Sequence, residues 1–146
     1  MSLSALDAED RAGQLIQLTE RLTDRLASET LAYEGHRPQD AAQGIAETAR
    51  LANLYRHEAA RVKLDPSLVA AAQRETRRRL LRGTEAFEAV LARHGRAVSA
   101  ARQISEGLVK AIAEEVARTR SAAAGYGAQG RVAPSSTAAI ALNRRA

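Results

Sequence analysis

The residue types able to do chemistry are few in this chain, and their spacing brings none of them together. Histidine occurs at positions 36, 57 and 94, and cysteine is absent. That excludes a thiol nucleophile, a cysteine zinc site and a disulfide framework. His94 falls in phase with the apolar residues of a helical pattern and reads as a hydrogen-bonded core histidine. His57 lies off that phase and reads as solvated, while His36 sits in a turn. Ser67, Ser99 and Ser105 have no nucleophile-elbow context around them. Glu114 and Glu115 are adjacent on a helix, so their carboxylates diverge. The glycines of GYGAQG follow a helix rather than a strand, which fits neither a phosphate loop nor a dinucleotide fingerprint. No catalytic residue is assigned, nor any cofactor or metal ligand, and an enzyme is not expected.

One basic cluster stands out. Arg74, Arg77, Arg78, Arg79 and Arg82 crowd into nine positions, and helical spacing puts Arg74, Arg78 and Arg82 on one face. Phosphate contact is one reading, with a salt-dependent affinity. The favoured alternative is a solvated face, or pairing with an acidic helix elsewhere. No helix-turn-helix, zinc finger or interleaved aromatic set accompanies the arginines, so specific nucleic-acid binding is not expected.

The elements that position these residues follow from composition. Of 146 residues 33 are alanine and 20 arginine, against four aromatics and no tryptophan. Ala, Leu, Glu and Arg favour helix, and few β-branched residues are present to build a pleated surface. An all-α antiparallel three-helix, coiled-coil-like bundle is expected, with one long C-terminal helix and a flexible tail. Residues 1–123 would form the helical domain and residues 124–146 the tail. No apolar run reaches the ~18–20 residues of a membrane span. The opening MSLSALDAEDRAGQ has neither a basic nor an apolar targeting region, so a cytoplasmic protein is expected, without stable membrane insertion.

Along the chain, Asp7, Glu9 and Asp10 suit a helix start. Leu15, Leu18, Leu22 and Leu26 then line one face, continuing through Thr30 and Tyr33 to Gly35. Gly35-His36-Arg37-Pro38 reads as a turn, with glycine taking any left-handed position and Pro38 opening the next helix. The second helix, 38–63, carries a seam of Ile45, Thr48, Ala52, Tyr55, Ala59 and Val62, flanked by Leu51 and Leu54. Asp65-Pro66 caps a third helix running from about 66 to 123. Its seam is Leu80, Thr84, Phe87, Leu91, His94, Val98, Ala101, Ser105, Leu108, Ile112 and Val116. Gly83, Gly95 and Gly107 interrupt it as kinks or close-approach points. Charge is polarised: residues 1–35 carry seven acids and three bases, residues 67–120 six acids and eleven bases. Antiparallel pairing of the first and third segments within the molecule would satisfy both.

Taken together, LIQLTERLTDRLASE, LANLYRHEAARVKLDPSLV and a long helix ending in GYGAQGR resemble the FlgN-like flagellar type III export chaperones, and most of all their alphaproteobacterial FlbY-like branch. Leu51-Ala52, Tyr55 and Glu58 leading to Asp65-Pro66 form the more specific internal match. The resemblance implies a non-enzymatic chaperone. It would bind hook-associated (hook-filament junction) proteins, prevent their premature assembly and deliver them to the flagellar export gate. It further implies substrate binding at the end of the third helix, at Leu108, Ile112 and Val116, and an export-gate contact at Tyr126, Gly127, Gly130 and Arg131. The tail beyond Arg131, with the apolar element Ile140-Ala141-Leu142, is longer than the family pattern. The alternatives are a helical coiled-coil adaptor outside export and a basic helical nucleic-acid-binding protein. Oligomeric state and the particular hook-associated substrate are not legible in the residues.

Overall fold

The computed structural model describes residues 2–126 and is all-helical over them. Five helices succeed one another: α1 (Ala8–Glu34), α2 (Pro38–Ala42), α3 (Ile45–Leu64), α4 (Ser67–Ala70) and α5 (Arg74–Tyr126). The chain forms two units, residues 1–104 and residues 105–146. In the first, α1, α3 and the opening half of α5 make the expected up-down-up bundle. Gly127, Gly130, Arg131 and the 140–142 element lie outside the described residues.

α1 begins where Asp7 accepts a hydrogen bond from the Asp10 amide at 2.8 Å, satisfying one orphan donor of the first turn. Its leucine stripe is buried throughout: Leu15, Leu18, Leu22 and Leu26 are at most 6% exposed. The helix ends in a Schellman turn, with the Arg37 amide bonded to the Ala32 carbonyl and the His36 amide to that of Tyr33. The left-handed residue of this turn is His36, at φ 56°, and not Gly35, whose φ is −83°. The turn geometry places the positive φ one residue after the helix cap, whichever side chain is there. His36→Gly should therefore raise stability by about 0.5–1 kcal/mol, read as a higher thermal midpoint, because an L residue is strained in this region. A lower midpoint would mean that the imidazole contributes more than its backbone costs.

Two expected helices are each divided. The second breaks after one and a half turns at Gln43-Gly44. A Cβ on Gly44 would meet only the guanidinium of Arg25, the end of a flexible side chain that is free to turn aside. The third does not begin at Pro66. The Asp65 carboxylate accepts from the Ser67 amide, capping only the single turn α4, and the long helix restarts at Arg74. Glu9 explains the restart: its carboxylate accepts from the Gln73 amide at 2.7 Å and the Thr76 hydroxyl at 2.5 Å. An acid from α1 thereby caps α5 and meets the positive end of its dipole. α5 then continues without interruption through Gly83, Gly95 and Gly107, each of which has open space where a Cβ would stand.

The core joins Leu18, Leu22 and Leu26 of α1, Leu51 of α3 and Phe87 of α5. Two seam readings are corrected here. On α3 Thr48, Leu51 and Glu58 are buried and Ala52 and Tyr55 of the seam pack against the core as expected, together with Leu54, while Ile45 is 49% exposed. On α5 they are Phe87 and Ala97, with Val90 packed alongside, while Leu91 and Val98 are 45% and 38% exposed. His94 sets the α5 rotation. Its Nδ1 lies 3.2 Å from the Thr30 hydroxyl, and its ring meets Tyr33 edge-on. That hydroxyl already donates to the Leu26 carbonyl at 2.6 Å, so Nδ1 carries the proton toward it. His94 is thus the hydrogen-bonded, half-buried histidine expected, and His57 is exposed.

Charge pairs complete the bundle. Arg93 holds Glu34 with both Nε and Nη2, and Arg79 reaches Glu20 at 3.9 Å. Acidic and basic segments therefore do pair, but α1 and α5 run parallel rather than antiparallel, since α3 returns the chain between them. The hydrogen bonds from Arg93 hold the Glu34 carboxyl below its ordinary range.

Candidate protein-binding site

Within residues 105–126, α5 carries apolar side chains at every turn. Leu108 is 60% exposed, Val109 67%, Ile112 56% and Val116 45%. Spacings of four put Leu108, Ile112 and Val116 on one stripe, and Val109 widens it, since residues three apart are also neighbours. From Val116 the steps to Thr119, Ala123 and Tyr126 are three, four and three, so Tyr126 lies on the same face. Its side chain is 92% exposed at the end of the helix. The two sets of site residues read from the sequence are therefore joined as far as Tyr126 by one helix face. Val109 was missed, although its three-residue step to Ile112 marks it.

The chemistry available to this face is burial. Four branched aliphatic side chains on one stripe would gain from leaving water, at about 25 cal/mol per Å² of apolar surface removed. A contiguous exposed stripe of that kind marks an interaction surface more often than a catalytic one. Glu115 and Arg118 close an ion pair at 2.7 Å beside it, so the charged residues at its edge are already engaged with each other. Among the described residues no group of three or more His, Cys, Asp or Glu side chains could hold a metal ion. None of the described helices is long and apolar enough to cross a membrane.

Comparison with known proteins supplies a context for this face. The chain is 57% identical to the flagellar basal-body protein FlbY of Caulobacter vibrioides, across the full length of both proteins. The chain belongs to the FlbY family. No family model matches the sequence, and no solved structure matches it.

One element of the FlbY-family bundle escaped the reading of individual residues. Glu58 is fully buried and accepts from three residues: the Leu3 amide at 2.9 Å, Arg11 at 3.1 Å, and Arg61, whose Nη1 reaches both oxygens at 3.2 and 3.4 Å. It ties the N-terminal segment, α1 and α3 to one carboxylate. The sequence offered a single sign of this, the Tyr55-x-x-Glu58 step within the internal family match. A second buried acid, Glu29, accepts from the Thr48 hydroxyl and lies 3.9 Å from Arg25. Both carboxylates serve the fold.

Proposed function

We propose that this chain is a flagellar export chaperone, which binds hook-associated proteins in the cytosol, prevents their premature assembly and delivers them to the type III export apparatus. The observation that carries the reading is the exposed stripe of Leu108, Ile112 and Val116 on a FlbY-family helix. A partner's amphipathic helix laid along that stripe would bury its own leucines against it. Assembly-prone terminal helices of junction proteins have that character. Tyr126, Gly127, Gly130 and Arg131 would then serve as the export-gate contact, with Tyr126 standing at the end of the same face. Residues 1–123 act as the chaperone domain in this proposal, and residues 124–146 as its delivery segment.

Replacing Ile112 and Val116 together by aspartate should abolish retention of hook-associated proteins in a pulldown. Two carboxylates desolvated in an apolar contact cost at least about 3 kcal/mol, or roughly 100-fold in affinity. Thermal unfolding should move little, because both side chains are half-exposed in the unbound chain. Tyr126→Ala should spare retention and impair filament assembly. Full retention by the aspartate variant would refute the substrate face. Normal assembly with Tyr126→Ala would remove the gate contact while leaving the face intact. A pulldown that yields other helical proteins and no hook-associated ones would favour an adaptor outside export.

A further inference from the structure

A different face of α5, within residues 1–104, carries its own pattern. Arg74, Arg77, Arg78, Leu81, Glu85 and Glu88 follow at steps of three, one, three, four and three, which places all six on one side of the helix. All six are exposed, and Leu81 in the middle is 60% exposed. Neighbouring arginines are satisfied: Arg79 by Glu20 and Arg82 by Glu75. The side chains of Arg74, Arg77, Arg78, Glu85 and Glu88 make no ion pair or hydrogen bond among the described residues, although the Glu88 charge is felt at Tyr55. The face therefore holds unrelieved repulsion twice over, among three arginines at one end and two glutamates at the other.

We infer that this face binds a second copy of the chain, antiparallel, about a two-fold axis at Leu81. The charge order is self-complementary under that operation and under no shift of more than a turn. Arg74 and Glu88 each lie seven residues from Leu81, so each Arg74 stands level with Glu88 of the second copy. Arg77 and Glu85 each lie four residues away and match likewise, with Arg78 one residue from level with the same glutamate. Leu81 meets Leu81 at the centre. An isologous contact uses the same patch on both subunits, and each charge match therefore occurs twice. Both clusters of repulsion are relieved at once. The face spans about 21 Å, at 1.5 Å per residue. That is short of what a permanent dimer buries, so the association is weak, reversible and electrostatically driven. It uses neither the Leu108–Val116 stripe nor Tyr126, and it stands whether or not the export reading does.

Sedimentation velocity on the full chain tests it. At about 50 mM salt a concentration-dependent dimer is expected, weakened at least roughly tenfold at about 500 mM as screening shortens to a few ångströms. The variants E85R/E88R and R74E/R77E/R78E should each be monomeric with unchanged circular dichroism, because none of these side chains makes a hydrogen bond or ion pair among the described residues. Mixed in equal amounts, they should form a heterodimer, since one face is then wholly basic and the other wholly acidic. A wild-type chain that stays monomeric at low salt overturns the proposal, including the case where it instead retains polyglutamate and so serves an acidic partner. Reversal variants that dimerise as the wild type does also overturn it, because the pairing then lies elsewhere. Failure of the mixture to associate would overturn the antiparallel register.

Discussion

Replacing Glu58 by alanine is expected to remove about 3–5 kcal/mol of stability, the cost of deleting one member of a buried ion pair. Glu58 is 0% exposed and Arg11 only 8%, so the guanidinium left behind has little access to water. Arg61 loses less, because its side chain is 34% exposed and can hydrate. The Leu3 amide also loses its acceptor, leaving the N-terminal segment held by the Gln14–Ser4 and Asp10–Leu6 hydrogen bonds and by the packing of Leu3. A domain of this size holds only about 5–15 kcal/mol in total, so the variant should melt roughly 15 °C or more below the wild type. Removing both charges is a different experiment. Arg11→Met with Glu58→Leu leaves no orphaned ion and fills the volume with apolar atoms, and such replacements are often neutral or stabilising. The double variant should recover to within about 1–2 kcal/mol of the wild type. A single variant that melts normally would show that water reaches the site. A double variant no better than the single would show that Glu58 acts through the Leu3 amide more than through Arg11.

Phe87→Ala should be comparably damaging. Of the 53 residues of α5 only Phe87 and Ala97 are buried, so this ring is the largest side chain that α5 buries in the bundle, with Val90 packed beside it. Its centroid lies 4.7 Å from that of Tyr55, and it packs within the cluster formed by Leu18, Leu22, Leu26 and Leu51. Deleting a buried phenylalanine side chain costs about 3–5 kcal/mol, in lost transfer energy and in the cavity left behind. Tyr55 provides a local readout. Burial pushes its phenol above the ordinary range, with the Glu88 charge adding to the effect and a hydrogen bond involving Thr84 opposing it. In the Phe87 variant the phenol gains water, and an ultraviolet titration should return toward the ordinary value of about 10. The sign for the wild type follows from the same shift. A raised folded-state pKa means that the unfolded chain ionises first, so this contribution is intact below about pH 10 and lost as the pH rises through the folded value. A variant losing under about 1 kcal/mol, with an unmoved phenol titration, would show that α5 is anchored by its ion pairs.

The part of this protein that a single helix can express was legible in its residues. The leucine stripe of α1 was, because Leu15, Leu18, Leu22 and Leu26 recur at the period of the helix itself and all four are buried. So were the breaks near 35–38 and 64–67, where proline and glycine act on the local backbone, and the apolar spacing of Leu108, Ile112 and Val116. The candidate site was readable for the same reason: the stripe is a property of one helix. What the sequence left open lies between helices. Glu58 is buried because three donors from other turns and segments converge on it, one of them 55 residues away in the chain. α5 starts at Arg74 because Glu9, 64 residues earlier, meets the Gln73 amide there. The α5 rotation that turns Ala97 inward and leaves Val98 at the edge depends on a hydroxyl of α1 reaching His94. Periodicity gives the apolar side of a helix to within about one residue, but charge burial, capping across segments and the final rotation are settled by partners distant in sequence, and only the packed bundle brings those together.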